Sequence, residues 1–282
     1  MIMKFIKTQL RPLLAAIICF VASHNTSYAG GFPVRPGSLL IMPSVNYFYA
    51  NKGWDSVRHL APFPNNGHFT SVSYSLYAEY GLSRRFTLVA SLPFVNNTYE
   101  QTNYKSINSG FTDLETGIRY YLANINYQYY FTVQGTIITP LYTNPNLGYG
   151  LTGGEIKLAF AGSGHLFGNS CYFNLENGVR QYFGSEGPIQ DRYNATFGLV
   201  LDKQFKNQLS VSFGGFYSQS DFKQFSPNPS IDKNFAFNQV SLTYLHSFSK
   251  EFSVSLTAGK FIDGRNTGDG TTGSVAFIIK PF

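Results

Sequence analysis

The feature that most limits how this chain can fold is the alternation of side chains over residues 110–122, GFTDLETGIRYYL. One set of alternate positions is largely apolar and includes Ile118 and Tyr120, whereas the other set carries Asp113, Glu115 and Arg119. Successive residues of a β-strand point to opposite faces, so a strand would separate the two sets, whereas a helix would mix them. The segment is therefore predicted to be a strand with one apolar face and one charged face.

The same alternation recurs along the chain, for example over residues 69–81 and 170–183, in segments long enough to cross a bilayer when tilted. Short turns, such as residues 82–85, alternate with long connections rich in Gly, Pro, Asn and Asp. Bacterial barrels have an even strand number, short periplasmic turns and long outer loops. The sequence therefore predicts an all-β protein, a transmembrane antiparallel up-and-down β-barrel of about 12 strands that occupies residues 30–282. Both of its termini are expected to be periplasmic, in a bacterial outer membrane.

Composition agrees with a barrel rather than with a helical membrane protein. Aromatic residues make up 17% of the chain and charged residues 13%, yet the mean hydropathy is only −0.10. A barrel averages its lipid-facing surface with a polar interior, whereas a helical membrane protein is far more apolar.

Residues 1–29 have the pattern of a cleaved signal peptide. Lys4, Lys7 and Arg11 precede the apolar run 13–21, and a small residue, Ala29, marks the predicted cleavage site. The alternative, a retained membrane anchor, is less favoured because the apolar run is too short to span. Cleavage would lower the formal net charge from +6 by those three positive charges. No basic cluster remains, so no nucleic-acid partner is predicted.

Four short motifs, taken in their order along the chain, suggest a protein family. The chain contains GLSRRFTL at 81–88, LPF at 92–94, GFTDLETGIRYYL at 110–122 and LGYGLTGG at 147–154. With these motifs it resembles the outer-membrane proteins of the meta-pathway of phenol degradation family. The resemblance implies a barrel that admits hydrophobic or aromatic compounds, and it supplies no catalytic residues.

Eight charged residues are predicted to line the lumen because they fall on the polar faces of their strands. They are Glu79, Asp113, Glu115, Arg119, Glu155, Lys157, Glu176 and Arg180. One interpretation is a pore lining that sets charge preference, and the other is a set of ion pairs that only fills a narrow lumen. For Arg119 we consider Glu79 and Glu176 as partners, although the register between strands cannot be read from the sequence.

A second candidate site lies in the long loops. Aromatic and histidine side chains there would form an apolar access site for a hydrophobic solute, and the alternative is ordinary loop packing or lipid contact. The residues are Trp54, His59, Phe63, His68, Phe222 and Phe225.

The sequence predicts a channel or transporter for small hydrophobic or aromatic compounds, not an enzyme, with no cofactor and no metal. The first alternative is a structural or adhesive outer-membrane barrel without transport, and the second is an outer-membrane hydrolase, which would need a nucleophile beside a base. Expected partners are outer-membrane lipid, lipopolysaccharide, the barrel-assembly machinery and the solute itself.

Overall fold

The predicted alternation produces a closed antiparallel barrel in the computed structural model, which describes residues 32, 34–166, 168–221 and 232–281. The proposed signal peptide lies outside these residues. The strands are β1 (Leu39–Ala50), β2 (Lys52–Trp54), β3 (Leu60–Pro62), β4 (His68–Gly81), β5 (Phe86–Gln101), β6 (Tyr104–Phe111), β7 (Asp113–Ile125), β8 (Tyr129–Pro140), β9 (Gly153–Leu166), β10 (Asn169–Tyr182), β11 (Ile189–Val200), β12 (Asn207–Gln219), β13 (Ala236–Ser247), β14 (Phe252–Arg265), β15 (Thr267–Gly268) and β16 (Thr271–Ile279). A single 3₁₀ turn, Pro64–Asn66, is the one helical segment within the described residues.

Closure leaves the main sheet with one short free edge, on β6, which pairs with β5 alone. Strand β1 pairs with β16 and β4, β4 pairs with β5, and from β7 to β14 each strand pairs with the next along the chain. Only a closed sheet satisfies every backbone N–H and C=O group in lipid. Strands β6 and β7 are separated by Thr112 alone and together pair with β5, so the described part of the chain forms a barrel of twelve strands, as predicted.

Pro93 explains why β6 and β7 are separate segments. The register with β5 changes by one residue between the pairs Phe94–Phe111 and Ser91–Glu115. Proline has no N–H to donate, but its carbonyl oxygen accepts a hydrogen bond from the Thr112 N–H at 3.0 Å. A bulge results, and the strand continues on the other side of it.

The two ends of the barrel differ as the sequence predicts. Turns at one end are short, for example residues 82–85 and 248–251, and this is the periplasmic end by the rule for bacterial barrels. The start of β1 and the end of β16 lie there as well. At the other end, β2, β3 and β15 form a separate three-stranded sheet in the long connections.

Strand β7 contains one irregularity that the sequence did not predict. Tyr121 pairs with Thr132, but the next pair is Ala123 with Phe131, so Leu122 is an extra residue in β7. The alternation therefore holds from Asp113 to Tyr121 and changes phase at the bulge.

The outer face is apolar and exposed over the whole barrel. Ile118, Ile137 and Leu256 are between 50% and 61% exposed and point away from the lumen. Water would penalise so large an apolar surface, and a bilayer removes that cost. Small outward residues such as Ala78, Ala90 and Gly135 leave a cavity of about 1080 Å³ in this face, which acyl chains can fill. No helix among the described residues has the length and hydropathy needed to span a membrane.

Candidate functional site

Inward side chains near the extracellular end form a row of contacts that is aromatic on one side and charged on the other. We call the aromatic part the aromatic arc and the charged part the charged arc. The aromatic arc consists of Phe69, Phe48, Phe261, Phe237 and Phe216, and the charged arc consists of Arg192, Glu155, Arg180 and Glu115. Each residue contacts the next in this order.

The aromatic arc comes from one inward residue on each of β4, β1, β14, β13 and β12. Phe237 and Phe261 stack with ring centroids 4.0 Å apart, and Phe216 and Phe237 stack at 5.2 Å. Phe48 meets Phe261 edge-to-face at 5.5 Å and Phe69 at 5.9 Å. Because these contacts join neighbouring strands, they make a continuous aromatic cluster on one side of the lumen. Phe69 and Phe261 are buried within it, and the half-buried Phe48, Phe216 and Phe237 are the rings that line the lumen.

The charged arc comes from β7, β9, β10 and β11. Arg180 donates from Nε to Glu155 at 2.8 Å and from Nη2 to Glu115 at 2.6 Å, and Arg192 Nη1 donates to the same Glu155 carboxylate at 2.7 Å. Glu155 and Arg180 are almost fully buried. Tyr182 donates to Asp113 at 3.0 Å and accepts from Arg180 at 3.3 Å, which extends the network toward the extracellular end.

Arg192 joins the two arcs. Its guanidinium carbon lies 4.6 Å from the centroid of the Phe216 ring, which is the geometry of a cation–π contact. Its side chain is 30% exposed, whereas that of Arg180 is 6% exposed. Arg192 was not predicted from the sequence, although its position on the polar face of an alternating strand is a signal that could identify it.

A second buried cluster lies nearer the periplasmic end around Arg119. Its guanidinium donates to Glu79 at 3.0 Å, to Gln134 at 3.1 Å and to the Tyr77 hydroxyl at 3.2 Å. The Arg119 and Glu79 side chains are each 7% exposed. Of the two partners considered for Arg119, Glu79 is the one in contact, because Glu176 lies 3.7 Å from Lys157 instead. All eight charged residues named from the sequence therefore face the lumen, in three separate groups.

The connection between β8 and β9, residues 141–152, folds into the lumen. Leu147 is buried and lies so close to Gly110 that a Cβ atom there would be 2.8 Å from Leu147 Cδ1. The Tyr149 hydroxyl donates to the Asp232 carbonyl at 2.6 Å, in the connection between β12 and β13, and its ring meets Tyr182 edge-to-face. Burial raises the pKa of Tyr149, so its hydroxyl remains a donor. This inward loop was not predicted.

The access site predicted in the loops is not an open surface. Trp54 and Phe63 are buried, and Phe63 packs against Tyr99 with ring centroids 6.2 Å apart. His59 is exposed, and its backbone N–H donates to the Asp55 carboxylate. His68 lies beside Tyr49, while Phe222 and Phe225 lie outside the described residues. Trp54 and Phe63 thus hold the first loop against the rim, because large aromatic rings gain most by leaving water.

On the periplasmic side of the two arcs, the inward residues are buried on one side of the barrel and half-buried on the other. On β8 the inward residues Thr132, Gln134, Thr136 and Ile138 are all buried. On β4, β13, β14 and β16 the inward residues in the middle of the barrel include eight that are small, polar and half-buried. We call them the hydroxyl wall: Ser71, Ser73, Ser75, Ser241, Thr243, Ser255, Thr257 and Ser274. A cavity of about 190 Å³ lies between Phe48 and this wall. Open lumen space therefore adjoins the hydroxyl wall at Ser71, Ser73 and Ser274, and the rest of the wall is half-buried rather than closed.

Two solved structures show the same architecture. A crystallised outer membrane channel from Pseudomonas putida F1 aligns over 91% of this chain and all of its own, with a TM-score of 0.66 and 14% identity. The NanC porin aligns over 84% of this chain and 98% of its own, with a TM-score of 0.51 and 6% identity. No family model and no curated protein sequence matches the chain.

These likenesses show the fold class, and the exposed apolar outer face agrees with a place in a membrane. The chain is a closed twelve-stranded barrel of the bacterial outer membrane, similar to channels and porins, and its outer face contacts membrane lipid. Membership of the meta-pathway of phenol degradation family stays a prediction, as do contacts with lipopolysaccharide and the assembly machinery.

Proposed function

We propose that this protein is an outer-membrane channel that admits small hydrophobic or aromatic compounds. The main support for the proposal is the half-buried hydroxyl wall, which lies on the periplasmic side of the aromatic arc. The rings offer a solute apolar contact at the extracellular end, and the small side chains below leave room beside the closed side of the lumen.

The experiment is single-channel recording in planar bilayers with solutes added to the extracellular side. Benzyl alcohol should interrupt the ion current at lower concentration than a sugar of similar size, because only the alcohol gains from the rings. Phe237→Leu should weaken block by benzyl alcohol, since it removes the ring that stacks on both Phe216 and Phe261. Phe277→Leu is the matched control, because Phe277 is 38% exposed on the outer face.

The proposal fails if the purified protein conducts no ions, or if benzyl alcohol and the sugar block alike. A folded barrel that conducts no ions but still binds other surfaces through its loops would favour a structural or adhesive role. Hydrolysis of an ester by the closed barrel would favour the enzyme alternative.

A further inference from the structure

The junction between the aromatic and charged arcs has unused hydrogen-bonding capacity. Arg180 engages all three of its guanidinium nitrogens, with Glu155, Tyr182 and Glu115. Arg192 donates only from Nη1, to Glu155, and within the described parts of the chain its Nε and Nη2 donate to no protein group. Arg192 therefore presents free donors to the lumen at the edge of the aromatic surface.

A planar guanidinium matches a carboxylate better than any other common anion, because two parallel N–H donors meet two oxygens. The Phe216 ring lies 4.6 Å from the Arg192 guanidinium, and Phe237 continues the apolar surface beyond it. An aromatic acid would thus place its ring against Phe216 and Phe237 while its carboxylate accepts hydrogen bonds from Arg192.

We propose that Arg192, Phe216 and Phe237 form a binding site for aromatic carboxylates inside the lumen. The inference deepens the proposed function, on which it rests, by naming the class of solute. A cationic head group fits less well. Glu115 is as exposed as Arg192, at 30%, but its carboxylate is held by Arg180 and lies next to none of the rings of the aromatic arc.

The test compares three probes with one ring each, benzoate, benzyl alcohol and benzylamine, as blockers of single-channel current. In the unmodified protein benzoate should block at the lowest concentration. Arg192→Gln should weaken block by benzoate about tenfold, the loss of one charge-assisted hydrogen-bonded contact, and leave benzyl alcohol unchanged. Arg192→Lys keeps the charge but lacks the planar guanidinium, so its block by benzoate should be intermediate between the unmodified protein and Arg192→Gln.

Two further variants separate the site from general effects of charge and folding. Arg58→Gln removes the same charge at the extracellular rim, where Arg58 pairs with Asp263, and should keep the preference for benzoate. Phe216→Leu should weaken block by all three probes. Each variant is first checked for the mobility of the folded barrel on unboiled gels.

The inference is overturned if Arg192→Gln leaves the ratio of benzoate to benzyl alcohol unchanged, or if benzylamine blocks best. In either case, block by benzyl alcohol would leave the proposed function intact. If no aromatic probe blocks the channel, the proposed function itself fails and this site fails with it.

Discussion

Arg119 and Glu79 form a buried ion pair whose loss should destabilise the barrel. Arg119→Met would leave the Glu79 carboxylate buried without its countercharge, which costs about 3–5 kcal/mol. We expect the variant to lose its folded mobility on unboiled gels at a clearly lower temperature than the unmodified protein.

The double variant Glu79→Gln/Arg119→Met distinguishes an unpaired charge from a packing defect. It removes both charges and should recover most of the lost stability. Arg85→Met serves as the control, because Arg85 lies in an exposed periplasmic turn. An Arg119→Met barrel with unchanged thermal stability would show that water fills this part of the lumen.

Glu155 holds two guanidinium groups together, so its neutralisation should change ion selectivity. In Glu155→Gln, Arg180 and Arg192 would lose their shared countercharge, and the lumen would become more positive. The reversal potential in a salt gradient should shift toward anion preference. Glu186→Gln, in an exposed loop where Glu186 pairs with Lys233, should not shift it. A shift toward cations would contradict the arrangement of the charged arc.

Sequence alone could identify which charged residues face inward but not which ones touch. Alternation places Arg119 and Arg180 on the polar face, because the side-chain period of a strand is two. The partners depend on register, and Arg180 reaches Glu115 across β9 and β8, a contact that no local pattern encodes.

The inward connection 141–152 should limit conductance. Leu147→Ala would remove the buried apolar side chain that packs this loop inside the lumen. The packed position of the loop would lose about 2–5 kcal/mol of stability, the range for Leu→Ala in a protein core. We expect a larger and noisier single-channel conductance as the loop leaves the lumen.

Leu141→Ala provides the matched control, since Leu141 is at the base of the same loop and 47% exposed. Its conductance should equal that of the unmodified protein. Equal conductance in both variants would mean that the loop does not obstruct the passage.

Strands were predictable here and the path of this loop was not. Each strand repeats one apolar and one polar position, a signal that is strong over ten residues. The loop sequence TNPNLGYG reads as turn-forming, and the single apolar Leu147 is its only sign of burial. Packing inside a barrel depends on surfaces that distant strands supply.

The complete barrel should behave as one cooperative, strand-dominated unit. Closure gives the barrel strands two neighbours each, apart from the segment β6, which pairs with β5 alone, so unfolding has little free sheet edge at which to begin. Circular dichroism in detergent should show a β-sheet spectrum, and the unboiled protein should run faster on gels than the boiled protein. A helical spectrum would contradict the fold.

Cysteine accessibility tests most directly whether the passage follows the hydroxyl wall. Ser241→Cys and Thr257→Cys should react with a charged methanethiosulfonate reagent and lose conductance, because both positions are half-buried toward open lumen. Thr136→Cys is the matched control on the closed side, where Thr136 is buried. We expect block at Ser241 and Thr257 and no change at Thr136. Block at Thr136 with none at Ser241 or Thr257 would contradict a passage along the hydroxyl wall.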